Sequence, residues 1–261
     1  ARVNSRSGGL QTGSGGHPAG TDRCHIGSCP VARRFDAALF DAGGVLMYPD
    51  PAVLIPALSV YGASTDPDSY FRAHYAAMAA KSESGAGERD WGVFNAAFVE
   101  AVGVPEHDRL EAAYVLSKTR NAHLWRAPVP GSRDGLARLN DIGVPIGVVS
   151  NAEGQIESVL RRMGLCQVGG GDHPNVLCVV DSDVVGVAKP DPRIFEHALV
   201  HLNGIERERI LYVGDSVTMD VGGAEAAGLT PVLLDPFDDS AGLFGGFMVR
   251  SLLELPAMFA D

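Results

Sequence analysis

The sequence predicts an α/β fold: a doubly wound parallel sheet with an inserted α-helical domain. Three observations point there. After Pro128, strand-length apolar runs alternate with helix-length segments to the end of the chain. Ahead of them a lone apolar run, Ala37-Ala38-Leu39-Phe40, ends in Asp41 and the breaker pair Gly43-Gly44. Between the two regions, residues 51–127 show helical spacing and no convincing strand.

Residues 1–34 are rich in Gly and Ser and are expected to form a flexible tail. Cys24, His25 and Cys29 make a short cluster there, without the fourth ligand a structural zinc site needs. Residues 37–40 read as a buried strand. Helices are expected over 51–60, 67–82, 89–101 and 106–125, with Tyr70, Phe71, Tyr75 and Met78, then Trp91, Phe94 and Phe98, as core positions. Strands follow at 144–149, 176–180, 210–213 and 231–234, and helices at 132–142, 153–163, 191–202, 218–227 and 251–259. The expected organisation is a core of residues 35–46 and 128–261 with a helical domain at 47–127.

The chain has 261 residues, of which 46% are hydrophobic, enough to fill a core. No apolar run reaches the roughly 18 residues of a membrane span, and no leading apolar stretch suggests a secretory signal. Four cysteines fit a reducing compartment, so a cytoplasmic protein is expected. Residues 1–34 carry a charge of +4, which leaves −15 of the total −11 on the remainder. So acidic a body repels phosphate backbones, and neither nucleic acid nor membrane is an expected partner. Only three lysines occur, Lys81, Lys118 and Lys189.

Polar groups gather at the expected carboxyl ends of strands, where ligands bind in such sheets. They are Asp41, Ser150 with Asn151, and Asp215 with Asp220, joined by Lys189 from a loop. Singly, each has a bland explanation as a helix cap or turn former. Together, three carboxylates converging on one edge call for a hard cation, and Mg²⁺ suits carboxylates and phosphate oxygens. Lys189 and the Ser150 hydroxyl can orient the remaining phosphate oxygens, and an aspartate so placed can act as a nucleophile.

The runs Phe40-Asp41-Ala42-Gly43-Gly44-Val45-Leu46, Val149-Ser150-Asn151, Lys189-Pro190-Asp191 and Val213-Gly214-Asp215-Ser216 to Asp220 resemble, in this order, the four motifs of the haloacid dehalogenase superfamily of hydrolases. The resemblance covers residues 35–261 and implies a Rossmann-like core, with 47–127 as a helical cap of the superfamily's first type. It further implies Asp41 as nucleophile and metal ligand, Ser150, Asn151 and Lys189 as groups that bind the transferred phosphoryl, and Asp215 and Asp220 as the acidic pair at Mg²⁺. The carbonyl of residue 43 would complete the metal set. The implied activity is a Mg²⁺-dependent phosphatase acting on a small phosphorylated metabolite through an aspartyl-phosphate.

One departure stands out. Phosphatases of the superfamily carry a second Asp two residues after the nucleophile as general acid, and here that position is Gly43. Such groups contribute about 10²- to 10⁴-fold, so Gly43→Asp is expected to raise turnover of alkyl phosphates, against some strain if Gly43 has φ > 0. Tyr48, His74 and His123 are candidate replacement donors from the cap. Three other readings follow: phosphonoacetaldehyde hydrolase-like C–P cleavage through Lys81, haloacid dehalogenation, and a non-catalytic phosphate-binding protein of this fold. Lys81 is otherwise expected to be a solvated lysine at a helix end.

Overall fold

The computed structural model describes residues 34–121 and 123–260. The tail expected over 1–34, with its Cys24-His25-Cys29 cluster, lies outside the described residues apart from Arg34.

In chain order the strands are β1 (Ala37–Phe40), β2 (Met47–Pro49), β3 (Trp125–Pro128), β4 (Ile146–Ser150), β5 (Gln167–Val168), β6 (Asn175–Val176), β7 (Val179–Asp181), β8 (Ile210–Gly214), β9 (Thr230–Leu234) and β10 (Phe247–Val249). The α-helices are α1 (Pro51–Leu58), α2 (Pro67–Glu83), α3 (Gly92–Ala101), α4 (Arg109–Thr119), α5 (Ser132–Asp141), α6 (Ile156–Arg162), α7 (Ser182–Val185), α8 (Arg193–Leu199) and α9 (Gly222–Ala226). Six strands form one sheet in the order β10-β9-β8-β1-β4-β7, and every neighbouring pair is parallel. Both faces are covered, as a parallel sheet requires. Side chains alternate accordingly: Ala38 and Phe40 pack with α5 and α6, while Ala37 and Leu39 pack with α8 and α9.

The chain leaves β1 in the middle of the sheet, with β8 on one side and β4 on the other. Ligands bind at such a reversal of strand order. The ends of β8, β1 and β4 are therefore neighbours, and they carry Asp215, Asp41 and Ser150.

Four differences from the sequence expectation have local causes. The strand-free stretch 51–127 ends in β3, which pairs antiparallel with β2, Met47 opposite Pro128 and Tyr48 opposite Ala127. Only four residues long, β3 is too short for its alternation to register as a period. The helix expected over 106–125 stops at Thr119, because Arg120 turns to extended backbone (ψ 111°). The edge strand β10, which is three residues long and directly follows Gly245-Gly246, adds a sixth member to an expected five-stranded sheet. The helix expected over 218–227 divides into one π-turn at Val217–Val221 followed by α9.

Residues from α1 to Leu124 hold their own apolar cluster, with Leu54, Tyr70, Phe94, Phe98 and Leu116 fully or almost fully buried. Helix α2 ties that cluster to the rest. The Tyr75 hydroxyl donates to the Gly44 carbonyl (2.8 Å), the Val217 N–H donates to Ser82 Oγ (3.1 Å), and Arg72 Nη2 donates to Asp239 Oδ1 (2.7 Å). No helix among the described residues is long and apolar enough to cross a membrane.

Candidate active site

Asp41 sits one residue beyond β1, its backbone N–H donating to the Val213 carbonyl of β8 (2.8 Å). Its Oδ1 accepts from the Ala42 N–H (2.7 Å) and from Lys189 Nζ (2.9 Å). Lys189 Nζ also donates to Asp220 Oδ1 (2.7 Å) and to the Tyr212 hydroxyl (2.8 Å). Asp220 Oδ2 accepts the N–H groups of Asp215 (3.2 Å) and Ser216 (3.0 Å). The π-turn allows this reach, since it brings the Val221 N–H back to the Ser216 carbonyl five residues earlier (3.1 Å). Asn151 clamps Lys189 from behind: its Oδ1 accepts the Lys189 N–H (2.8 Å) and its Nδ2 donates to the Lys189 carbonyl (3.1 Å).

Asp215 Oδ2 lies 2.8 Å from His74 Nε2, and both side chains are buried. Gly44 makes this approach possible. Its φ is +68°, and a Cβ there would fall 1.7 Å from Asp215 Oδ2 and 2.6 Å from His74 Nε2. The positive φ considered for Gly43 thus belongs to its neighbour: Gly43 is not among the positive-φ glycines. Residue 43 faces Trp125 of β3, whose Cζ3 would stand 3.2 Å from an added Cβ.

The carboxylates of Asp41, Asp215 and Asp220 each offer an oxygen within 4.8 Å of the others, and all three residues are buried. Burial pushes the Asp41 carboxyl up to about 7; Lys189 opposes that rise, while Asp220 and Asp215 add to it. Burial likewise raises Asp215, with the His74 hydrogen bond opposing. For Lys189 burial alone would lower the pKa, but Asp220 and Asp41 outweigh it and hold the amine above its ordinary value. Three buried carboxylates against one lysine and one histidine leave an anionic excess, and this donor set fits a divalent cation.

Asp41, Gly43, Ser150, Asn151, Lys189, Asp215 and Asp220 all line one cavity of about 580 Å³, within the size range of small-molecule sites. The three candidate donors from residues 47–127 do not line it. His74 is turned to Asp215, Tyr48 packs against Phe71, and His123 is exposed. Lys81, expected to be solvated, is 1% exposed and lines the cavity with Trp91, Arg120 and Trp125. Sequence reasoning had a usable signal for Lys81, which falls three residues after Met78 and seven after His74 on one helical stripe. Tyr212 carried a weaker signal, a hydroxyl inside a buried strand that needs a partner. Nothing in the sequence marked Arg120 or Trp125.

The sequence profile of the haloacid dehalogenase-like hydrolases matches residues 35–228. The chain belongs to this hydrolase family. Among curated members, the chain is 32% identical over 133 residues to the glyceraldehyde 3-phosphate phosphatase of Methanopyrus kandleri, covering 50% of this chain and 53% of that protein. It is 32% identical over 143 residues to the phosphoserine phosphatase of Thermus thermophilus, covering 55% of this chain and 53% of the relative. Each match thus spans about half the length of the relative. A haloacid dehalogenase-like phosphatase structure from Thermococcus onnurineus superposes with a TM-score of 0.53 at 24% identity, covering 85% of this chain and 97% of that one. At that identity the likeness speaks for the shared fold.

Proposed function

We propose that this hydrolase is a Mg²⁺-dependent phosphatase of small phosphate monoesters, working through a phosphorylated Asp41. The observation that carries this reading is the position of Lys189 Nζ, 2.9 Å from Asp41 Oδ1 and 2.7 Å from Asp220 Oδ1 in a buried site. With Oδ1 held by Lys189 and the Ala42 N–H, Oδ2 is the oxygen that attacks phosphorus as the ester P–O bond breaks. The leaving oxygen departs as its anion and takes a proton from solvent water, a second water then cleaves the acyl-phosphate and releases its proton to solvent, and inorganic phosphate departs with Asp41 restored. Ser150, ending the strand beside β1, donates to a phosphoryl oxygen, and Asn151 keeps Lys189 in place. A Mg²⁺ held by Asp41, Asp215 and the Gly43 carbonyl, with Asp220 behind them, would supply positive charge against the phosphoryl oxygens. Without a carboxyl at position 43, the site favours leaving groups that depart without protonation.

The names of the relatives, phosphatases of small metabolites, support the same reading. Asp41→Asn is expected to abolish release of inorganic phosphate from an aryl phosphate in Mg²⁺, a loss of at least about 10³-fold. Activity retained by that variant would exclude the covalent route. Phosphonoacetaldehyde belongs in the same panel, because buried Lys81 lines the cavity. Turnover of that compound together with inactivation by borohydride would replace the ester reading with C–P cleavage.

A further inference from the structure

The cap side of the cavity holds cations that the chemistry at Asp41 does not use. Lys81 Nζ lies 3.6 Å from the centre of the Trp91 ring, and the Arg120 guanidinium carbon lies 3.8 Å from the same centre. Arg89 joins them on the lining. Lys81 is 1% exposed, and Arg120 Nε is buried with no hydrogen-bond partner. Their remaining contacts are neutral: Lys81 Nζ donates to the Glu88 carbonyl (3.2 Å), and Arg120 Nη2 donates to Asn95 Oδ1 (2.7 Å).

Among the described residues no carboxylate forms an ion pair with Lys81, Arg89 or Arg120. Glu88 lines the same cavity and attracts both Lys81 and Arg120 over a longer range, while Asp90 and Asp215 act on Lys81 more weakly. Burial lowers Lys81 and takes Arg120 down to about 10, so both are desolvated cations, and each repels the other. An arrangement kept only for packing would be served at lower cost by apolar side chains. Cation–π contact offsets part of the cost, and an anion would offset the rest. The Trp91 ring, covered by these cations, offers little face for stacking a base or sugar.

Resting on the reading that the phosphate ester binds at Asp41, we infer that Lys81 and Arg120 form a subsite for a second anionic group. The substrate class is then a phosphate monoester with a carboxylate or a second phosphate at its far end. Both groups line one cavity, so the first anion sits at Lys189 and Ser150 and the second at Lys81 and Arg120.

The test uses matched pairs. ω-Phosphooxy carboxylates with two, three and four carbons are compared with their neutral amides, and the corresponding diol bisphosphates form a third arm. The wild-type protein is expected to favour at least one carboxylate or bisphosphate over its neutral partner by about tenfold or more in kcat/KM. Lys81→Met and Arg120→Met are each expected to remove most of that preference while turnover of the amide changes less than about threefold. Preference for the carboxylate or for the bisphosphate identifies which anion the subsite takes. Equal handling of every pair by the wild type overturns the inference, as does a preference that survives in both variants. If either variant fails to fold, Lys81→Gln and Arg120→Gln replace them, and the wild-type pairs decide on their own. Calorimetry with ω-phosphono carboxylates and their amides, which contain no ester to cleave, reads the subsite independently of turnover. A chain that hydrolyses no ester but binds the carboxylates tighter refutes the phosphatase reading and upholds the subsite.

Discussion

Trp125 decides what a carboxyl at position 43 can do. An added Cβ there meets the indole at 3.2 Å, so Gly43→Asp needs the ring to shift before its side chain can reach a leaving group. The single variant is therefore expected to change kcat/KM on an alkyl phosphate by less than about tenfold, whereas Gly43→Asp combined with Trp125→Leu should gain about 10²-fold. An aryl phosphate measured alongside supplies the control, and a double variant with no selective gain on the alkyl ester would remove position 43 from the chemistry. The sequence-level expectation of a gain at some cost in strain omits Trp125, because that residue comes from a strand 82 positions downstream. Asp41, Asp215 and Lys189 were legible for the opposite reason: each follows or faces the end of a strand that its own neighbours identify. The cation pair at Trp91 was not legible, because the sequence predicts continuing helix through the segment after α4, where the structure turns at Arg120.

Among elements, the end of β7 shows how one carboxylate can hold two loops. Asp181 Oδ2 accepts from the Gly154 N–H (2.9 Å) and the Ile156 N–H (3.3 Å), and its Oδ1 accepts from the Asp183 N–H (3.0 Å). It caps α7 and at the same time anchors the start of α6, which follows Ser150-Asn151. Hydrogen bonds to a buried charged group are worth about 1.5–3 kcal/mol, so Asp181→Ala should destabilise the fold by about 2 kcal/mol and lower Tm by several degrees. Thermal unfolding measures this, and an unchanged Tm would show that water replaces the carboxylate without loss. The interior strands β1, β4, β8 and β9 were readable as short apolar runs, since both faces of each are covered. β10 escaped because a three-residue edge strand after two glycines has too little pattern to read. The division of 218–227 into a π-turn and α9 was hidden as well, because the widened turn is fixed by what Asp220 bonds to across the sheet end.

Over the whole molecule, burial governs the thiols as it governs the carboxylates. It pushes Cys166 up to about 12 and Cys178 up to about 11. The thiolate is the reactive form, so both should resist a disulfide reagent at pH about 8 in the native state. In a Cys24→Ser, Cys29→Ser background, Ellman's reagent should titrate almost nothing until guanidinium is added, and then both remaining thiols. Fast labelling before unfolding would mean that the sheet opens locally around β4 and β7. The paired β2 and β3 carry a different kind of consequence. Both passages of the chain between the sheet and the block α1–α4 run through this ribbon, with Met47 opposite Pro128. The sheet therefore meets the block as a hairpin loop of arbitrary size. Closing such a loop costs only about 0.6 kcal/mol more for each doubling of its length. Insertions, deletions or wholesale replacement between the two strands leave the register of β8, β1 and β4 untouched. The strand ends that carry Asp215, Asp41 and Ser150 thus owe their spacing to the sheet alone, whatever length of chain lies between β2 and β3.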